Sequence, residues 1–297
     1  MPDMTEQPVS DRIQIGLAGW GDHDIYPPGT KGPEKLAEYA KRFPVVEMDS
    51  SFYALPSPER MESWAAQTPD GFRFVVKAYQ GMTGHTRGRI PYDNAQAMFR
   101  ACREAAEVLH AAGKLHSVLF QYPPWFHCVR KHVDILRRTR QWMGSLPITL
   151  EFRHQSWFAP EMRERTLAFM REEGWIHSVC DEPQAGEGSI PIVPVPTDKG
   201  QTLVRLHGRN ASGWQGQGQA NWREVRYLYR YNEQELLDWK ERLLAMLAET
   251  EQCCVIFNNN SGGDAAPNAL QLMRLLGMEP PSIGPEWEQM SLFGDTP

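Results

Sequence analysis

ITLEFRHQSW, residues 148–157, is the stretch that decides the fold. A short apolar, β-branched run passes directly into Glu151, Arg153 and His154. Such a run, bounded by polar and turn residues, reads as a strand buried on both faces. Seven further runs have the same form: IQIGLAGW (13–20), VVEMDSSFY (45–53), FRFVVKA (72–78), SVLFQYPP (117–124), IHSVCDEP (176–183), TLVRLHGR (202–209) and CCVIFNNN (253–260). Helical stretches separate most of them, the signature of repeated βα units. Eight such units close into a single (β/α)8 TIM-type barrel of the α/β class. In barrels of this kind chemistry sits at the C-terminal ends of the strands. That is where Glu47, Asp49, Lys77, Gln121, Glu151, Arg153, Asp181, Arg205, His207 and Asn258 fall.

The rest of the chain sets bounds on this reading. A length of 297 residues, 41% of them hydrophobic, suits one barrel with a large core. No apolar stretch approaches the roughly 18 residues that span a bilayer. The opening MPDMTEQPVSDR is polar and has no apolar core of a signal peptide, so a cytoplasmic protein with no membrane partner is expected. The five cysteines show no CxxC spacing and read as structural thiols. A net charge of −6 argues against a histone-like polyanion binder, so anion binding must come from a local basic cluster.

Helices are expected over 33–43, 57–67, 93–112, 132–143, 161–174, 233–249 and 267–277, with Asp93 opening the third and Gly113 ending it. The sixth crossover, PQAGEGSIPIVPVPTDKG (183–200), is too rich in Pro and Gly for a regular helix. A long insertion, residues 209–232, follows the seventh strand and carries five Trp or Tyr and four Arg residues. The divisions are a flexible lead (1–11), the barrel (12–277), and a linker with a C-terminal tail (278–297).

GLAGW, VEMDSSFYALPS, FRFVVKAYQGMTGH, VLFQYPPWF, LEFRHQSW, VRLHGR and IFNNNSGGDAAPNAL together resemble the YecE-like family, domain of unknown function 72. The resemblance implies a TIM-type barrel with a polar pocket at the strand ends and no assigned reaction. It also marks departures. The family usually has Asn where this chain has Asp49, often has His where this chain has Asn260, and lacks the extra Gly before His85.

Side chains two apart on a strand share a face. Alternation therefore groups Glu47 with Asp49 and Ser51, Glu151 with Arg153, and Arg205 with His207 and Arg209. Facing inward, the four carboxylates Glu47, Asp49, Glu151 and Asp181 form a candidate catalytic set, since crowded carboxylates have their pKa values pushed apart. Lys77, Gln121, Arg153, His154, Arg205, His207, Arg209, Asn258 and Asn259 are the candidate anion ligands, with arginine forks suited to phosphate. The bland alternative is a mutually neutralised polar plug. NNNSGGDAAPNAL after strand eight could hold a phosphate at a helix N-terminus. Trp20, Tyr53 and Trp157, with Trp125, are candidates for stacking on a ring, or simply cover the rim. A divalent metal is the less favoured reading, because no His-pair motif appears and nearby arginines repel a cation.

These residues suggest a hydrolase acting on nucleic acid or another phosphorylated substrate, with Glu47 and Glu151 as acid and base. Two alternatives stand beside it: a non-catalytic nucleic-acid-binding module using residues 209–231, and a sugar-phosphate isomerase or lyase. Near the end of the chain, Gln289-Met290-Ser291-Leu292-Phe293 resembles the peptide by which bacterial replication and repair proteins dock on the DNA sliding clamp. Leu292 and Phe293 would enter an apolar cleft while Gln289 bonds at its rim.

Overall fold

A computed structural model describes residues 8–86, 88–215 and 225–279. Eight parallel strands, β1 (Ile13–Ala18), β2 (Val45–Met48), β3 (Arg73–Lys77), β4 (Leu115–Gln121), β5 (Ile148–Glu151), β6 (Ile176–Asp181), β7 (Gln201–Leu206) and β8 (Gln252–Phe257), close in sequence order, with β8 pairing back onto β1. Each quoted run overlaps a strand; β4, β7 and β8 start one or two residues before the run, and every strand stops before its run does.

Helices follow where amphipathic spacing placed them, at Lys35–Ala40, Pro58–Ala66, Ala95–Ala111, Arg130–Met143, Arg163–Glu173, Glu233–Met246 and Ala265–Leu275. Ser57 caps the second through the Arg60 amide, and Asn232 with Glu235 forms a capping box on the sixth. The third opens on Asn94, whose side chain accepts from the Ala97 amide, rather than on Asp93. Val9–Arg12 makes one short turn, and Arg12 donates to the carbonyls of Leu247 and Thr250.

The sixth crossover has no helix. Residues 182–200 cross over with Ile190 and Val193 buried, and Thr197 receives the His177 amide while donating to the Trp175 carbonyl. Beside this unit the barrel is thinly paired, with only Thr149–Ile176 and Leu150–His177 in register between β5 and β6.

Two hydrophobic assemblies result. The larger lies between strands and helices; a small one of Val45, Val75, Leu119, Leu203, Cys254 and Ile256 fills the barrel interior. On β1 the interior position is Gly16, where any Cβ would run into the Val45 carbonyl. The five cysteines are free. No helix among the described residues is long and apolar enough to cross a membrane.

Candidate functional site

The polar site is the next layer up from the interior core, and alternation builds it. Two residues beyond Val45, Val75, Leu119, Thr149, Leu203 and Ile256 stand Glu47, Lys77, Gln121, Glu151, Arg205 and Asn258. Another step of two brings Asp49, Arg153 and His207, and on β6 it runs from Ser178 through Cys180 to Glu182.

The side chains form a chain of alternating charge. Arg205 forks onto Glu47, Nε to Oε2 at 2.7 Å and Nη2 to Oε1 at 2.5 Å. Its Nη1 donates to Glu151 at 2.7 Å and to the Gln121 oxygen at 3.3 Å. Glu151 in turn holds Arg153 at 2.6 Å, and Arg153 pairs with Glu182, whose other oxygen accepts the Ile190 amide. Glu47, Glu151 and Arg205 are 0% exposed. At the outer end Lys77 donates to Asp49 at 2.9 Å, where the Asp49 side chain is 37% exposed.

Burial and charge pull these groups apart. Burial pushes Glu47 up to about 7 against the pull of Arg205, with Asp49 adding to the rise. It pushes Glu182 to about 7 as well, against Arg153. Glu151 is equally buried, yet Arg153 and Arg205 outweigh that and hold it well below the usual carboxylate range. For Asp49 burial is overcome by Lys77 and Arg205, leaving it lowered. Divergent acidities in one buried cluster mark a site capable of proton transfer.

His207 is fixed as a neutral ring. Arg153 Nη2 lies 2.9 Å from its Nε2, and a guanidinium only donates, so Nε2 carries the lone pair. Nδ1 then carries the proton and meets the Asn258 side-chain amide at 3.0 Å, which sets that amide with its oxygen toward the ring. Burial, then Arg153 and Arg205, press the His207 pKa well down.

Among the described residues, Glu151, Cys180 and His207 bring ligand atoms within 4.8 Å of one another. The group does not suit a cation. Arg153 already occupies the space between Glu151 and His207, and burial holds the Cys180 thiol well above its ordinary pKa, hence protonated.

Several sequence expectations are corrected. Asp181 faces away from the mouth. Arg209 grips it with Nε at 3.0 Å and Nη2 at 2.8 Å, and Trp239 donates to it at 2.7 Å, so the trio fastens helix Glu233–Met246 to the barrel. Strand parity explains this: Ser178 donates to Glu151 inside, so Asp181, three residues on, points outward and Glu182 takes the inner place. Arg209 leaves the face of Arg205 because Gly208 turns the chain at φ 83°. Ser51 also departs, since β2 ends at Met48 and a 3-10 turn buries the hydroxyl against the Met48 and Lys77 carbonyls.

Trp157 is a core residue, stacked on Phe152 at 4.0 Å. Asn259 is buried and ties the Tyr229 carbonyl to Asn268. Trp20 packs edge-on against Trp64, and His154 bonds Ser156 at the rim. The strand-eight exit does not offer an open anion cradle: Asp264 sits at the N-cap of helix Ala265–Leu275 and Leu228 rests on Gly262. Asn260 instead bonds His23 at 3.1 Å, joining the loops after β8 and β1. Tyr53 stays at the rim, 63% exposed.

Sequence reasoning missed Glu182, and took Trp214, Arg226 and Tyr227 only as part of the aromatic and arginine set of the insertion after the seventh strand. Trp214 is buried with Arg226 4.0 Å and Arg153 5.4 Å from its ring centre, and Tyr227 lies 6.0 Å from His207. Trp214, Arg226 and Tyr227 of the insertion after β7 therefore cover this side of the mouth. Gln289, Leu292 and Phe293 lie outside the described residues.

Residues 14–290 match the family described as protein of unknown function DUF72. YunF of Bacillus subtilis is 53% identical over 283 residues, 95% of this chain and 100% of that one. YecE of Escherichia coli K12 is 32% identical over 52% of this chain and 53% of its own. Crystal structures of DUF72 proteins from Enterococcus faecalis (38% identity, TM-score 0.85, covering 92% of this chain and 98% of that one) and Thermotoga maritima (28%, 0.75, covering 90% and 99%) share the fold.

Proposed function

The chain belongs to the DUF72 family, and we propose that its barrel mouth is an acid–base active site for an anionic, phosphorylated substrate, with hydrolysis of a phosphodiester or glycosidic bond as the reaction. The observation that carries this reading is Glu47, fully buried, pushed up to about 7, and set in a cluster that includes the partly exposed Lys77–Asp49 pair. A carboxyl with that acidity gives or takes a proton at neutral pH. An ordinary ionised glutamate is a poor donor there.

The charge balance favours an anion. Arg153, Arg205, Lys77 and Arg226 stand beside Glu47, Asp49, Glu151 and Glu182, and the upward push of burial on Glu47 and Glu182 tips an otherwise even balance toward the cations. In this mechanism Lys77 receives the anion and Glu47 moves the proton. Glu151 stays ionised between two arginines and positions them; it is neither acid nor base. Asp181 has no part in the chemistry. Glu47→Gln is the test. With the fold retained, turnover of abasic-site DNA or a phosphorylated sugar falls by about 10²- to 10⁴-fold. Unchanged turnover removes Glu47 from the mechanism.

Recruitment to DNA is the second part of the proposal, supported by the Gln289-Met290-Ser291-Leu292-Phe293 tail. A pull-down with sliding clamp retains the intact chain and loses Leu292→Ala/Phe293→Ala. Equal recovery of the two, or none of either, returns the barrel to metabolic substrates such as sugar phosphates. The non-catalytic module has less support, because Trp214 and Tyr231 of the insertion are buried.

A further inference from the structure

Beside the mouth, on the β2–β4 side, lies an aromatic rim that the acid–base reading does not use. Tyr53 is 63% and Trp125 51% exposed, large values for residues that normally bury their rings. They are joined by rings in van der Waals reach. Phe52 meets Tyr53 at 5.2 Å and His85 at 5.1 Å, edge to face, and His85 meets Trp125 at 6.0 Å. The ammonium of Lys77 stands 5.2 Å from the Phe52 ring centre, so the platform abuts the cation assigned to the anion. His85 is held neutral, lowered to about 4 by burial and then by Lys77 and Arg153, so it adds a flat uncharged ring.

Stacking on an aromatic side chain asks only for a π-face, which every nucleobase has, and the Lys77–Asp49 pair beside Phe52 supplies the polar end that a nucleotide's phosphate meets. We propose that Tyr53 and Trp125 form a stacking platform for the nucleobase of a nucleotide whose phosphate is drawn to Lys77. This rests on the reading of the mouth as an anion site and narrows its substrate class to nucleotides.

Calorimetric titration of the full chain with adenosine 5′-monophosphate, adenosine, inorganic phosphate and glucose 6-phosphate tests it, in wild type, Tyr53→Ala and Trp125→Ala. Both substitutions are at exposed positions, and circular dichroism checks that each variant is folded. The nucleotide is expected to bind more tightly than phosphate or glucose 6-phosphate. Each variant weakens it by roughly 5- to 150-fold and leaves phosphate binding unchanged. If phosphate binds but the nucleotide gains nothing over it, the platform falls and the anion site stands. If adenosine binds through Tyr53 and Trp125 while no phosphate compound gains by its charge, the anion reading falls instead. Equal losses for glucose 6-phosphate overturn the commitment to a base, and nucleotide binding unaffected by both variants overturns the platform itself.

Discussion

Removing Arg205 interrogates the charge chain at its centre. In Arg205→Met a side chain of similar length replaces a guanidinium that is 0% exposed and holds two buried carboxylates. Glu151 keeps Arg153 at 2.6 Å, but Glu47 loses both arms of its fork. Breaking a buried pair by deleting one partner costs about 3–5 kcal/mol. At roughly 2–4 °C per kcal/mol, the melting temperature falls by about 6–20 °C. The sign of the pH dependence follows from linkage. Without Arg205 the folded-state pKa of Glu47 rises further above its unfolded value of about 4.3, so the folded form holds a proton that the unfolded form releases. The deficit is therefore smaller near pH 5 and grows by up to about 1.4 kcal/mol between pH 7 and pH 8, because the wild-type Glu47 ionises only above about 7. Urea unfolding at both pH values measures it. A loss under about 1 kcal/mol at pH 8, or one independent of pH, would refute the reasoning. Arg205→Met/Glu47→Gln should recover part of the loss, since no buried charge is then stranded.

Three further outcomes are expected. Asp49→Asn frees the Lys77 ammonium from its 2.9 Å partner, so inorganic phosphate binds several-fold more tightly by titration calorimetry; equal or weaker binding counts against Lys77 as the anion ligand. If Glu47 is the proton donor, kcat/KM declines as pH rises through about 7, because the acid form is lost there; a flat profile across that range rejects the assignment. Trp239→Phe removes one hydrogen bond to an Asp181 oxygen that keeps Arg209, and lowers stability by about 1–3 kcal/mol, with phosphate binding at the mouth unaltered, as a scaffold role requires.

The barrel was legible because its signal is repeated: eight apolar runs with polar ends admit few other closures. The polar layer was legible for a related reason, since a period of two carries Val45 to Glu47 and Leu203 to Arg205 without tertiary information. Reading failed where that period was applied past the strand or from the wrong origin. On β6 the inward residues are Ser178, Cys180 and Glu182, a parity set by pairing with β5 and β7 that local sequence does not fix. Beyond β7 one glycine at positive φ was enough to send Arg209 to the outer face. Trp157 and Trp214 show the other gap. An aromatic residue just past a strand is core or rim depending on which loop closes over it, and no pattern along the chain reports that contact.

The two ends of the charged chain differ in what a ligand can do to them. An anion approaching Arg205 or Arg153 must displace a carboxylate that has no water to retreat into, because Glu47, Glu151 and Glu182 are all buried. That exchange is uphill whatever the ligand's charge. At Lys77 the balance reverses, since Asp49 can swing into solvent while the ammonium accepts a phosphate in its place. The buried arginines then act at one remove. They pull both Glu47 and Glu151 down, overcoming burial at Glu151 but not at Glu47, and every partner in the chain is already engaged. On the proposed reading a polar plug and an active site are the same structure. The rigidity that makes the plug holds Glu47 at a neutral-pH acidity, within the cluster whose exposed end can exchange its counter-ion.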